Sequence, residues 1–143
     1  MVLAGGVVSS CKKTTESPDT AIGTTDLNRA ALLTEWADNL VKPGYQAFGG
    51  KLTVLKTQTA AFTAAPTVAG LQSARQAWRE AYLAWQKVEM FEFGPAADVS
   101  LVNHFNIYPT DAAGIRQNIA SGTYTFELSS AIPQQGFPAL DTC

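Results

Sequence analysis

The sequence predicts an all-α, antiparallel helical bundle. Two observations carry that reading: two long segments in which apolar residues recur at steps of three and four, and the Pro and Gly breaks that separate them. A third concerns size. At 143 residues with 46% hydrophobic and 15% charged residues, the chain can bury one modest core. Its net charge of −2 and scattered Lys and Arg give no basis for binding nucleic acid.

The first long helix spans Asp26 to Ala65. Leu33, Ala37, Val41, Tyr45, Phe48, Leu52, Leu55 and Phe62 form its stripe, with one missed step at Thr59. Pro43 lacks an amide proton and crowds the carbonyl of Asn39, so the helix kinks near Lys42 while the stripe keeps its phase. Pro66 stops this helix, and Thr67 is placed to cap the next. That second helix runs from about Val68 to Phe93, buries Leu71, Ala74, Trp78, Ala81, Trp85 and Val88, and ends at "FGP".

A shorter helix follows "YPTD", with Thr110 as cap and Asp111 at the positive end of the dipole, and closes at "SG". "TYTFELSS" alternates weakly and reads as a candidate extended segment; the rest reads as coil. A further helix opens at Phe137 and has room for only its first turns before Cys143. Two long helices, a short one and a beginning suggest the first part of a larger bundle.

The N-terminus carries a different signal. "MVLAGGVVSSCKK" is an apolar run, small residues and a cysteine, as in bacterial lipoproteins, although no basic residue follows Met1. The expected organisation is a signal remnant over 1–10, lipidation at Cys11, a polar tether over 11–25 and a helical domain over 26–143. Cys11 and Cys143 have no C-x-x-C spacing, and a disulfide between them would have to join the two chain ends.

Candidate chemistry is sparse. Trp78, Tyr82, Trp85, Glu89 and Glu92 are spaced to share one side of the second helix, with both carboxylates on its final turn, facing the negative end of the dipole. A cation, an Arg, a metal or plain water would compensate them. His104 is the only histidine and has no ligand-spaced neighbours. No G-x-S-x-G, phosphate-binding glycine loop or H-E-x-x-H occurs.

The blocks "WADNLVKPGYQAFGGKLTVLKTQTAAF", "LQSARQAWREAYLAWQKVEMFEFGP", "NIYPTDAAGI" and "GFPALD", in this order, resemble the imelysin family, also called peptidase M75. The resemblance covers about Asp26 to Asp141. It implies a periplasmic or outer-membrane, lipid-anchored helical protein associated with iron or haem acquisition, and an N-terminal portion of a longer fold of two related halves. It also implies partners: the membrane through the lipid anchor, and envelope iron-uptake proteins. Iron or another divalent metal is the cofactor implied.

The family's G-x-H-x-x-E motif, proposed to bind metal, corresponds here to Gly136, Pro138 and Asp141. Proline has no ligand atom, so the resemblance implies a degenerate motif, and the residues read as a helix start. The expectation is a non-catalytic binding protein. The alternatives are a divalent-metal-dependent peptidase using Glu89, Glu92, Asp111 and Asp141, and a surface module whose aromatic face meets a protein partner.

Overall fold

The computed structural model describes residues 28–142. Cys11, the segments 1–10 and 11–25, Asp26 and Cys143 lie outside the described residues. Among the described residues every regular element is helical. α1 (Arg29–Trp36), a π-helical turn (Ala37–Val41) and α2 (Lys42–Ala64) form one continuous rod, and α3 (Val68–Gln86) returns antiparallel to it. Short helices follow: α4 (Pro95–Asp98), α5 (Leu101–Phe105), α6 (Ala112–Ser121) and α7 (Gly136–Thr142), with 3₁₀ turns at Glu89–Phe91 and Ser129–Gln134.

The rod begins at Arg29, where the Asn28 side chain accepts from the Ala31 amide at 3.1 Å. Where a kink was expected, a wide π-helical turn directly precedes Lys42 and Pro43. The Lys42 amide reaches back five residues to the Ala37 carbonyl. That extra residue in the turn makes room for a ring that cannot donate. Thr67 caps α3 as predicted, accepting from the Gly70 amide at 3.0 Å.

The core lies between α2 and α3 and is closed by α7. Phe48, Leu55, Ala77, Ala81, Trp85, Val88 and Phe137 are buried there, and Tyr45, Leu52, Trp78, Tyr82 and Phe105 pack around them. Trp85 stacks on Phe105 with centroids 5.0 Å apart and meets Phe48 at 5.4 Å. α2 and α3 approach closely at Gly44, where an added Cβ would lie 2.9 Å from Val88 Cγ1. On the surface, Lys51 Nζ bridges the two helices to Glu80 at 2.7 Å.

Several expectations need correction. The stripe does not stay buried upstream of Pro43: Leu33 is 65% exposed, and α1 buries no residue. α1 extends past the end of α3, where the chain has already turned aside. Second, α3 ends at Gln86, not Phe93. The Lys87 and Val88 amides bond three residues back, to Ala84 and Trp85, which tightens the end and lets Val88 face the core. Glu89 and Glu92 are therefore not on the last turn of that helix; Glu89 opens a 3₁₀ turn.

Third, Pro95–Asp98 and Leu101–Phe105 are helical where coil was expected. Fourth, the cap of α6 is Asp111 itself, not Thr110. Fifth, "TYTFELSS" forms no strand; it passes through bends into a 3₁₀ turn. The final helix begins at Gly136, one residue before the predicted Phe137.

Candidate functional site

The G-F-P-A-L-D segment occupies α7, and its first residue has a strict steric reason. Gly136 has φ +81°, and an added Cβ would lie 2.6 Å from the Phe105 carbonyl oxygen and 2.9 Å from that of His104. Only glycine lets the start of α7 press onto the end of α5. Phe137 then enters the aromatic cluster, 5.3 Å from Tyr82 and 6.1 Å from Phe105, while the Trp78 indole N–H donates to its carbonyl at 3.1 Å.

Pro138 is half-buried in the first turn of α7, and its carbonyl accepts from the Thr142 hydroxyl at 2.9 Å. Asp141, one turn on, is exposed. The motif thus builds a wall of the core. It offers one exposed carboxylate and, at the position where the motif has histidine, no donor atom.

The remaining predicted carboxylates do not gather into a group of three. Glu92 accepts from the Val102 amide at 3.1 Å, satisfying a free N–H at the start of α5. Its charge contributes, after burial, to holding the Tyr45 phenol above its usual value; the Tyr45 hydroxyl donates to the Phe91 carbonyl at 3.2 Å. Glu89 is half-buried. Among the described residues no three His, Cys, Asp or Glu side chains gather into a group able to hold a metal ion. The donor set does not fit a divalent metal in these residues, and no chemical step is derived through one.

Asp111 belongs to a network that the sequence did not suggest. Its Oδ1 accepts from the Gly114 amide at 2.9 Å and its Oδ2 from Gln134 Nε2 at 2.8 Å. Gln134 Oε1 in turn accepts from Asn118 at 2.8 Å, and the Asp111 amide donates to the Pro133 carbonyl at 2.9 Å. The Gly114 amide first, and Gln134 second, hold the Asp111 carboxyl below its usual value. Beside it, Gln135 Nε2 lies 3.3 Å from His104 Nδ1. Both glutamines read as loop in the sequence; nothing in their local pattern marks them as the joint between α5, α6 and α7.

Next to this joint is an open groove of about 580 Å³, bounded by α2, α6, α7 and the stretch around Tyr124 and Phe126. Its floor is Leu55, Ile115 and Phe137, and none of its lining residues is Lys, Arg, Asp or Glu.

A sequence profile described as Imelysin, of the peptidase M75 class, matches residues 41–142. The chain belongs to the imelysin family. Its curated relatives include iron-regulated protein A of Synechococcus elongatus, 32% identical over 106 residues that make up 74% of this chain and 29% of the relative. Among solved structures, an imelysin peptidase from Bacteroides ovatus superposes with a TM-score of 0.71 at 25% identity, covering 78% of this chain and 34% of that one. The imelysin chain described here therefore spans about a third of the length of these two relatives. Both the match and the superposition agree with the all-α bundle and with the resemblance carried by the aromatic block of α3.

Proposed function

We propose that the chain belongs to an envelope lipoprotein of the imelysin family, tethered through a lipid on Cys11 and acting as a non-catalytic binding component in iron or haem acquisition. The carrying observation is Pro138: the position where the motif has histidine bears a ring with no ligand atom, seated in the first turn of α7 as an ordinary helix-opening proline. The iron assignment rests on the similarity to a protein named for its regulation by iron. Membrane attachment rests on "VSSC" followed by a polar tether. None of the described helices is long and apolar enough to cross a membrane, so attachment would come from the anchor.

The rival reading, a divalent-metal-dependent peptidase, is favoured by the name of the solved relative. Calorimetric titration of the purified protein with zinc and with ferrous iron separates the two. The expected result is weak, non-stoichiometric binding, unchanged by Asp141→Ala. A tight one-to-one site that disappears in Asp141→Ala would overturn the non-catalytic reading.

A further inference from the structure

α1 is the part of the rod that the α2–α3 core leaves bare, and it buries no residue. Its apolar side chains nevertheless share one side. Leu32 and Leu33 precede Trp36 by a turn and Leu40 follows it by a turn, so the four form one stripe. They are 45%, 65%, 56% and 53% exposed for Leu32, Leu33, Trp36 and Leu40 respectively. Both carboxylates of this stretch are engaged along the helix: Glu35 accepts from Asn39 Nδ2 at 2.6 Å, and Asp38 pairs with Lys42 Nζ at 2.6 Å.

The composition and place of the stripe say what covers it. It carries no charge and has an indole at its centre, the ring that favours the boundary between lipid headgroups and acyl chains. Arg29 lies one turn before Leu32 and Leu33, on the same side, where its stem can lie along apolar surface while the guanidinium meets phosphate oxygens. α1 is also the first described helix after Cys11. Even fully extended, the chain from Cys11 to Arg29 spans at most roughly 65 Å. A lipid on Cys11 therefore keeps α1 near a bilayer, at an effective concentration on the order of millimolar. The stripe precedes residue 41, where the family profile begins, except for the contacts of the turn itself.

We propose that α1 is an interfacial helix, whose Leu32, Leu33, Trp36 and Leu40 enter the surface of the bilayer that holds the Cys11 lipid, with Arg29 at the phosphates. The proposal rests on the lipoprotein reading for the supply of that bilayer; the contact itself is a property of α1. Four partly exposed side chains bind weakly, half-saturating at about 1 mM lipid. The contact orients the tethered domain and does not replace the anchor, so Cys11→Ser still leaves the membrane on dilution.

The test uses the 143-residue chain carrying Cys11→Ser, so that no acyl group contributes. It is mixed with vesicles of phosphatidylcholine, alone or with phosphatidylglycerol, and binding is read by co-sedimentation and by quenching of tryptophan emission with bromine-labelled acyl chains. Trp78 and Trp85 belong to the core cluster, so the quenching is expected to disappear in Trp36→Phe. Saturable binding to both kinds of vesicle is expected, because the stripe is uncharged. The double variant Leu33→Glu and Leu40→Glu should lose roughly tenfold or more in affinity, with unchanged circular dichroism since both positions are exposed. No binding to either vesicle would overturn the proposal while leaving the Cys11 anchor to be judged by fractionation of the acylated chain. Equal binding by the double variant, or quenching that persists in Trp36→Phe, would overturn it as well. So would a stable dimer, by light scattering, that the double variant dissociates, which would make a second copy the occupant.

Discussion

The indole of Trp78 donates its N–H to the carbonyl oxygen of Phe137, 59 residues away in sequence and 3.1 Å away in space. This bond joins the middle of α3 to the first turn of α7 at the point where the Phe137 ring enters the core. It makes the G-F-P-A-L-D segment a structural part of the α2–α3 pair.

Two substitutions separate the bond from the packing. Trp78→Phe keeps much of the ring contact with Tyr82 and removes the donor, with an expected cost of about 1 kcal/mol. Phe137→Ala empties a nearly fully buried site, with an expected cost of about 3–5 kcal/mol. Urea denaturation followed by tryptophan fluorescence gives both values. A smaller loss for Phe137→Ala than for Trp78→Phe would refute the assignment of Phe137 to the core.

Glycine substitutions should divide by position. Gly136→Ala forces a Cβ against the Phe105 carbonyl in a left-handed backbone conformation, and should destabilise by about 1–3 kcal/mol. Gly49 sits inside α2 with open space around its missing Cβ, so Gly49→Ala should stabilise by about 0.5–1 kcal/mol. Thermal melts of the two variants against the parent are expected to move in opposite directions.

Acid sensitivity should trace in part to Asp111. Its folded carboxyl is held below the ordinary value of 3.8, so the unfolded chain binds more protons in the acid range. The resulting stability is complete above that ordinary value and is lost as the pH falls through the lowered folded one. Asp111→Asn keeps a capping side chain and removes the titration. Denaturation midpoints measured from pH 6 downward should fall more steeply for the parent than for Asp111→Asn; parallel profiles would count against this role.

The anchor is testable by fractionation. Expressed in a bacterial host with an intact secretion signal, Cys11→Ser should move the protein from the membrane pellet to the soluble fraction. An unchanged pellet would remove the lipoprotein reading.

The paired helices were legible because their stripes are strict. Phe48, Leu55, Ala81, Trp85 and Val88 fall where three-and-four spacing puts them, and all are buried. The end of α3 was not legible, because no Gly or Pro stops it at Gln86. It stops because Val88 packs against Gly44 and the Phe91 carbonyl turns to meet Tyr45, contacts made with another helix. Leu33 shows the converse: its spacing is that of a buried stripe, but spacing cannot say whether anything lies opposite. The Gln134 joint is invisible for a similar reason. Its partners, Asp111 and Asn118, are 23 and 16 residues away and become neighbours only once α6 has folded back.

The wide turn at Ala37–Val41 also has a bearing on how relatives are compared. One additional residue in a helix rotates everything upstream by about 100°. Side chains of α1 are thereby indexed differently from those of α2, although the rod is unbroken. A relative that lacks the wide turn would need a one-residue gap between Trp36 and Lys42 for its upstream helix to be superposed face for face. The profile match starts at position 41, the last residue of that turn.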